Sequence, residues 1–433
     1  MSGGRHFAPL PPGARDLLPP ILRSRAGLTR RLLEVFERWG YDAVATPAVE
    51  YFHVFARGLT EAERQRCVRF FAPGSAEVVT LRSDVTPQIA RLVGQHCRER
   101  LDAGECLRLC YAADVIGVPD HVEGAAEEHQ VGVELIGDGS PAADAELIAL
   151  GAEALAAAGV SEVVFDLAHV GVARALLDAL GLRDDDRQAV IQRMARKDLA
   201  GLAALLEGAG VERGAGEGLL ELARLHGPTS TLDRARALPS IERTPAIRDA
   251  LGELQAVVDA LRGLAPEVAA RLSVDLGEVR GHDYYSGLRV RAWARGSARP
   301  LIRGGRYDAL LRRYGVSAPA TGLAVHLEAL EGLVGADLDA PAPATLVALA
   351  ADAGAAPRAA ADRLARSLRS TGRRAWVEPN LSLETAKRTA ARAGADTILR
   401  LDRDEVVTRL CLVDAVWVDA AAPVDAERRE HEP

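Results

Sequence analysis

Residues 80–91, TLRSDVTPQIAR, combine a cation, a carboxylate and a hydroxyl within five positions. Proline is favoured in the first turn of a helix, so the stretch predicts a strand end, a turn and a helix from about Pro87. Alternate residues of a strand face the same side, which would direct Arg82, Asp84 and Thr86 into one space. The stretch therefore predicts a polar site at the end of a strand; a solvated sheet edge is the alternative.

Two further segments carry polar side chains of the same kind. In HQVGVELIG (129–137), Gln130 and Glu134 lie on one face of a predicted strand. The segment EVRGHDYYSG (278–287) adds Arg280, Asp283, Tyr284 and Tyr285. Carboxylates bind ammonium groups, and phenols and carboxylates bind azole N–H groups. The three segments predict a pocket for a small cationic ligand, and an amino acid fits this description.

The surrounding periodicity predicts two domains. Apolar residues at helical spacing predict a helix over 20–39, period-2 alternation predicts strands at 105–116 and 129–137, and an Ala/Leu-rich helix follows at 141–158. A helical insertion is expected at about 170–268 within a core of residues 1–334. Beyond a Pro/Ala linker at 335–344, alternating strands and helices predict a small α/β domain at 345–433.

Composition excludes several classes of protein. The chain has 433 residues with 48% hydrophobic and 26% charged, typical of a globular protein. No window is apolar enough to span a membrane, and the first residues lack the apolar core of a signal peptide, so a cytoplasmic location is expected. The net charge of −8 argues against broad nucleic-acid binding.

Short catalytic motifs are missing from the sequence. Only Lys197 and Lys387 are lysines, which excludes a Walker-A loop and leaves almost no candidate for a Schiff base. The five cysteines form no C-x-x-C, the histidines form no H-E-x-x-H, and GAGEG (214–218) lacks a preceding strand. No metal site, cofactor or covalent catalytic residue is therefore expected.

The order of motifs along the chain resembles the catalytic core of histidyl-tRNA synthetase. It is most similar to the non-aminoacylating paralogue of that enzyme, the regulatory subunit of ATP phosphoribosyltransferase. The motifs are GARDLLPP (13–20), GYDAVATPAVE (40–50), TLRSDVTPQIAR (80–91), RLCYAADVI (108–116), HQVGVELIG (129–137), EVRGHDYYSG (278–287), GGRYDALL (304–311) and GLAVHLEAL (322–330). The resemblance implies an α+β, class II aminoacyl-tRNA synthetase-like fold: an antiparallel sheet with flanking helices, and dimerisation through the region around Pro47.

The resemblance also implies a histidine-binding site. Positions that hold the amino group of the ligand in the family match Asp84, Thr86 and Gln130, and positions around the imidazole match Glu134 and Tyr285. Asp84 is a glutamate in the synthetases. With the neighbouring segment, the predicted histidine-binding set is Asp84, Thr86, Gln130, Glu134, Arg280, Tyr284 and Tyr285. The alternative is that these residues are fold contacts that bind nothing.

Departures from the synthetase pattern argue against catalysis. Where the family has an arginine and a glutamate after RLCYAADVI, this chain has Gly117 and Pro119, and the arginine of the last motif is Ala329. Activation of an amino acid by ATP needs fixed cations around the reacting phosphate. The loop after this strand carries instead Asp120, Glu123, Glu127 and Glu128, and an acidic loop repels a triphosphate.

The carboxyl-terminal domain resembles a degenerate anticodon-binding domain. From Pro341 to Pro433 it has 14 Lys+Arg and 14 Asp+Glu, so no positive excess is available to hold an RNA stem. A role with tRNA is therefore not expected.

The resemblance implies a non-catalytic regulatory subunit that joins a short catalytic ATP phosphoribosyltransferase chain in the first step of histidine biosynthesis. A homodimer of this chain within a hetero-oligomer, with histidine as effector, is expected. Two alternatives remain at this point: an active histidine-tRNA ligase with altered motifs, and a paralogue that activates an amino acid for another acceptor.

Overall fold

The computed structural model describes residues 10–19, 21–118, 126–242, 244–279, 284–334, 343–350, 355–379, 381–402, 407–413 and 416–419. The chain divides into two compact units, Met1–Leu338 and Asp339–Pro433. No described helix is both long enough and apolar enough to cross a membrane.

The strands within the described residues are β1 (Asp42–Ala43), β2 (Val49–Tyr51), β3 (Arg69–Phe71), β4 (Val78–Leu81), β5 (Leu107–Ile116), β6 (Glu127–Ile136), β7 (Val163–His169), β8 (His226–Gly227), β9 (Leu272–Asp275), β10 (Leu288–Ala294), β11 (Ile302–Arg306), β12 (Ala320–His326), β13 (Ala344–Leu349), β14 (Arg374–Glu378), β15 (Thr397–Leu401), β16 (Val407–Val413) and β17 (Val416–Asp419).

The helices are α1 (Ile21–Arg38), α2 (Phe52–Phe55), α3 (Glu61–Arg66), α4 (Thr86–His96), α5 (Arg98–Asp102), α6 (Pro141–Ala157), α7 (Val170–Ala179), α8 (Asp184–Ala195), α9 (Leu199–Gly208), α10 (Arg213–Arg224), α11 (Thr231–Arg236), α12 (Pro239–Glu242), α13 (Pro245–Leu264), α14 (Pro266–Ala269), α15 (Asp308–Arg312), α16 (Leu327–Val334), α17 (Ala355–Ser370) and α18 (Leu383–Ala393).

A nine-stranded sheet organises the first unit, in the order β1-β5-β6-β12-β11-β10-β7-β9-β8. The pairs β1 with β5 and β7 with β9 are parallel, and the other neighbours are antiparallel. The sheet is therefore largely antiparallel, as expected, and becomes mixed through the parallel pairings of β1 and β9. A separate antiparallel sheet, β2-β4-β3, lies in the same unit.

Helix α1 shows how the sequence pattern becomes packing. Its residues Leu28, Leu32, Val35 and Phe36 recur on one face and are at most 1% exposed. The chain leaves the helix through Gly40, whose φ of +81° is the left-handed conformation that favours glycine at a helix end. The buried face joins α6 and α13 in the core beneath the sheet.

The helical insertion shares this core. Between β7 and β9 the chain forms α7 to α14 and the two-residue strand β8, which pairs with β9. Buried residues of the insertion, including Val190, Met194 and Leu219, pack in the same hydrophobic cluster as Phe165 of the sheet. The predicted helical pattern is correct, and its apolar faces extend the central core.

The second unit is an open sheet with a helix on each face. Its strands follow the order β14-β13-β15-β16-β17, with the first three parallel and the last two antiparallel to their neighbours. Ala361 and Ala365 of α17 pack on one face, and Ala386 and Ala390 of α18 pack on the other.

Candidate functional site

A cavity of about 480 Å³ opens on the sheet face opposite α1, α6 and α13. Alternation along β6 explains this position, because Val131, Val133 and Leu135 point into the core while Gln130 and Glu134 point the other way. The central strands of the sheet thus bury apolar residues on one face and present polar residues on the other.

Glu134 lies at the closed end of the cavity with its side chain 1% exposed. The Thr86 hydroxyl donates to its Oε1 at 2.8 Å, and the Tyr307 hydroxyl donates to its Oε2. Burial raises the pKa of Glu134 to about 8, although the hydrogen bonds from Tyr307 and Thr86 act to lower it. The carboxyl can therefore exchange a proton or bind a cationic ligand near neutral pH.

Glycine is required opposite this carboxyl. Gly322 on β12 pairs with Glu134 across the sheet. A Cβ at Gly322 would clash with the carboxyl of Glu134 and lie 2.7 Å from the backbone oxygen of Val133. Because Gly322 has no side chain, the carboxyl of Glu134 can occupy this space.

Asp84 forms the second carboxylate of the cavity. It lies in the turn between β4 and α4, where the backbone N–H of Val85 donates to its Oδ1 at 2.7 Å. Burial, with the nearby charge of Glu63, raises the pKa of Asp84 to about 7. A bound ammonium group would stabilise its ionised form.

Two tyrosines close the same end of the cavity. The rings of Tyr284 and Tyr285 meet edge to face with centroids 5.0 Å apart, and Tyr284 lies 6.0 Å from the ring of Tyr307. Burial raises the pKa of Tyr285 to about 12, so its phenol stays protonated and can donate a hydrogen bond. Gly305, with φ of +149°, gives the Tyr285 ring its space, because a Cβ there would lie 2.9 Å from it.

Gln130 and His326 face each other on β6 and β12 and lead towards the mouth of the cavity. The Oε1 of Gln130 is buried and has no hydrogen-bond partner among the described residues. Leaving a buried acceptor without a hydrogen bond destabilises the folded chain, so a ligand that donates a hydrogen bond here would bind more tightly. Beyond it, His326 Nδ1 lies 3.4 Å from the carboxylate of Glu128.

Six of the seven predicted site residues line this one cavity: Asp84, Thr86, Gln130, Glu134, Tyr284 and Tyr285. Arg280, the seventh, and its neighbour Asp283 lie outside the described residues. The convergence was predicted from three segments that are far apart in the sequence. That these residues bind histidine stays a prediction.

One local prediction is wrong. Arg82, Asp84 and Thr86 do not share a strand face, because β4 ends at Leu81 and Thr86 is the first residue of α4. Arg82 instead donates to the backbone oxygens of Asp114 and Thr46, at 2.6 and 2.8 Å. It joins segments of the fold and does not line the cavity.

The prediction of an acidic loop after β5 is also wrong in part. Glu127 and Glu128 belong to β6, and Glu128 faces the cavity, where it lies 3.7 Å from Arg299. Pro119, Asp120 and Glu123 lie outside the described residues. The two other departures from the synthetase pattern, Gly117 and Ala329, are on the cavity wall and contribute no charge.

Several cavity residues were not predicted from the sequence. Tyr307 was missed because its contact with Glu134 joins residues 173 positions apart. Arg289, Arg299 and Arg303 were missed because only strand pairing brings them to the cavity. The aromatic residue after GGR in GGRYDALL was the available signal for Tyr307.

The side chains that line the cavity are suited to binding a small polar ligand. Among the described residues, no group of three or more His, Cys, Asp or Glu side chains could hold a metal ion. Carboxylates, phenols and an unpaired amide oxygen converge instead, and this chemistry suits the ammonium and azole groups of an amino acid.

Comparisons with known proteins agree with this geometry. The family model for histidyl-tRNA synthetase matches residues 13–330. A crystal structure from Bacillus halodurans, described as an ATP phosphoribosyltransferase regulatory subunit/histidyl-tRNA synthetase, has a TM-score of 0.78 with 26% identity, covering 93% of this chain and 100% of that one. Fold and site thus define a protein of the class II aminoacyl-tRNA synthetase type, as expected from the motifs.

The curated relatives define the family more narrowly. The ATP phosphoribosyltransferase regulatory subunit of an Anaeromyxobacter species is 41% identical over 320 residues, covering 74% of this chain and 91% of the relative. The subunit of that description from Thioalkalivibrio sulfidiphilus is 34% identical over 369 residues, covering 84% and 92%. The chain belongs to this histidyl-tRNA synthetase-like family of ATP phosphoribosyltransferase regulatory subunits.

Proposed function

We propose that this chain, as a regulatory subunit of ATP phosphoribosyltransferase in histidine biosynthesis, binds histidine in the cavity and makes the activity of the enzyme respond to it. The observation that carries the proposal is the convergence of Asp84, Gln130 and Glu134 in one cavity. In this arrangement, Asp84 and Gln130 receive the ammonium group and Glu134 with Tyr285 receives the imidazole. Arg280 is proposed as a further binding residue from the sequence alone.

The charges of the cavity support binding over catalysis. Gly117 and Ala329 occupy positions where the synthetases carry arginine, and both line the wall without charge. Two carboxyls with raised pKa values lie instead in the cavity, the buried Glu134 and the partly buried Asp84. A bound ammonium group would stabilise the ionised form of these carboxyls, whereas the negative charges of a triphosphate would repel it.

The partner is a catalytic ATP phosphoribosyltransferase subunit, and we propose that it is of the short form and depends on this chain for activity. Histidine then acts by binding one state of the assembly more tightly than another, since equal affinity would shift nothing. The expected compartment is the cytoplasm, and the carboxyl-terminal unit stays predicted to be a degenerate anticodon-binding domain.

A homodimer forms the centre of the proposed assembly. The small sheet β2-β4-β3 follows Pro47 and exposes Val49, Tyr51, Phe70 and Phe71. Apolar side chains grouped on one exposed sheet are typical of a protein interface. This surface is therefore proposed to meet a second copy of the chain.

Reconstitution tests the proposal. The full chain is mixed with a short-form catalytic subunit, and association and phosphoribosyl-ATP formation are measured with and without histidine. We expect a complex whose rate exceeds that of the catalytic subunit alone and falls or changes when histidine is added. A mixture that neither associates nor changes in rate refutes the role, and histidine-dependent pyrophosphate exchange by the chain alone would favour the ligase alternative.

A further inference from the structure

Residues 278–287 carry Tyr284 and Tyr285 to the cavity and are called the tyrosine segment below. The helical insertion contacts the end of this segment. The backbone N–H of Val170, the first residue of α7, donates to the oxygen of Gly287 at 3.1 Å. The guanidinium of Arg174, also on α7, donates to the oxygen of Tyr285 at 3.2 Å. The first helix of the insertion therefore holds the backbone that carries Tyr285.

The turn that leads into the tyrosine segment packs against the same insertion. The backbone N–H of Leu276 donates to the oxygen of Leu225, just after α10, at 3.0 Å. A Cβ at Gly277 would lie 2.6 Å from the Cα of Ala223, so glycine is required at this close approach. The N–H of Gly277 donates to the carboxylate of Asp275 at 3.1 Å. This carboxylate therefore shapes the turn.

Lys197, in the connection between α8 and α9, fastens the turn through its side chain. Its ammonium lies 2.7 Å from the carboxylate of Asp275, a residue that is 8% exposed. Asp275 also lies 4.0 Å from Arg291, which pairs with Glu278 at 2.8 Å. Glu278 in turn pairs with Arg289, on the cavity wall, at 2.9 Å. Because Glu278 begins the tyrosine segment and Arg289 follows it, this chain of ion pairs links the insertion to both sides of the segment.

The backbone of Lys197 adopts a conformation that glycine would adopt with less strain. Its φ is +54°, and among the residues that the structure describes it is the only one other than glycine with a positive φ. The N–H of Lys197 donates to Met194 and that of Asp198 donates to Arg193, a helix ending that favours glycine. The same ending in α18 uses Gly394. Lysine is tolerated at this position because its side chain makes a contact that glycine cannot make.

We propose that the helical insertion sets the affinity of the cavity for histidine, and that Lys197 is the positioning residue through which it does so. This inference rests on the proposed histidine site. The ion pairs hold the tyrosine segment in place before the ligand arrives, so less conformational freedom is lost on binding. Coupling between sites is reciprocal, so a displacement of the insertion would weaken histidine binding, and bound histidine would oppose that displacement.

Hydrogen exchange of the full chain without ligand tests the positioning step. Lys197→Gln and Arg196→Gln each remove one positive charge from the same exposed turn, but only Lys197→Gln removes the ion pair with Asp275. The backbone N–H of Ser286, which donates to the oxygen of Arg306 at 2.7 Å, is expected to exchange several-fold faster in Lys197→Gln. In Arg196→Gln it is expected to exchange as in the parent.

Calorimetric titration with histidine tests the effect on affinity. Lys197→Gln is expected to weaken histidine binding about tenfold, a factor typical of coupling between sites. Lys197→Gly is expected to weaken it by the same factor, because the cation is lost although the backbone strain is relieved. Lys197→Arg keeps the cation, and Arg196→Gln leaves the ion pair intact, so both are expected to bind as the parent does.

Two results would overturn the proposal. They are parental histidine affinity in Lys197→Gln or Lys197→Gly, which would limit Lys197 to local stability, and equal acceleration of exchange at Ser286 in Lys197→Gln and Arg196→Gln. Lys197→Gly supplies both measurements if Lys197→Gln does not fold. A parent chain that does not bind histidine would refute the proposed histidine site alone, and the exchange experiment would then decide the positioning role.

Discussion

Thr86 and Glu134 are joined by a hydrogen bond of 2.8 Å that links the first residue of α4 to the carboxyl-terminal half of β6. The contact places a helix start against a buried carboxyl, so the polar turn that precedes α4 is held at the closed end of the cavity. Asp84 is positioned by the same turn. Ligand binding and the local fold therefore depend on one another here.

The first prediction concerns histidine affinity. Asp84→Ala and Glu134→Ala should each weaken histidine binding by roughly 2 to 3 kcal/mol, because a charge-assisted hydrogen bond is lost and a partner is left unpaired. Glu127→Ala, at the exposed first position of β6 and outside the cavity lining, is the control and should bind as the parent does. Calorimetry measures the histidine affinity of each variant. If both cavity variants bind histidine as the parent does, the pocket assignment is wrong.

The second prediction is a pH dependence of stability. Glu134 has a pKa of about 8 in the folded chain, against about 4.3 in an unfolded one. Between these values the folded chain holds a proton that the unfolded chain releases, so the free energy of unfolding falls as pH rises from about 5 to about 8. Denaturant unfolding across this range should show a shallower slope in Glu134→Gln, and the slope in Glu127→Gln should be unchanged.

The third prediction is that the chain does not adenylate histidine. Gly117 and Ala329 provide no cation where the synthetases have one, and the loss of one such arginine costs on the order of 10³ in rate. Histidine-dependent exchange of pyrophosphate into ATP should stay at background, with an active histidyl-tRNA synthetase as the positive control. Exchange at the rate of that control would contradict the prediction.

The fourth prediction tests the glycine opposite Glu134. Gly322→Ala should lower the free energy of unfolding and weaken histidine binding, because its Cβ meets both the Glu134 carboxyl and the Val133 backbone. Gly252→Ala, at an exposed position of α13 with open space around it, is the control and should stabilise the chain by about 1 kcal/mol. Equal effects at both positions would argue against the crowding.

The fifth prediction concerns self-association. Phe71 is 72% exposed on β3, and Phe71→Glu should convert the proposed dimer into a monomer, because a charge would be buried at an apolar interface. Val164→Glu changes another exposed apolar residue, on β7, and should leave the mass unchanged. Light scattering measures the outcome; a dimer in both variants would place the interface elsewhere.

Local patterns predicted the elements well. The helix expected at 20–39 spans Ile21–Arg38, and the alternating runs became β5 and β6, because burial of one face imposes the period that the sequence displays. The same rule failed at Arg82, where the strand had already ended. Period 2 holds only while the backbone stays extended.

Long-range pairing set the limit of prediction for the site. Gln130 and Glu134 share a strand, so their common orientation follows from the sequence. The approach of Tyr307 to Glu134 and of Arg303 to the cavity depends on the order β6-β12-β11-β10, which periodicity does not encode. The parallel pairings of β1 and β9 were missed for the same reason.

Strand β6 carries Glu128, Gln130 and Glu134 on one face and is hydrogen-bonded to a neighbour along each edge. At 3.3 Å per residue, the backbone from Glu128 to Glu134 measures about 20 Å. The backbone sets this spacing, and no side-chain substitution can change it. A ligand with two charged groups that are too close together to span the distance from Glu128 to Glu134 could not bind at both residues at once, whatever the affinity of each group for its own residue.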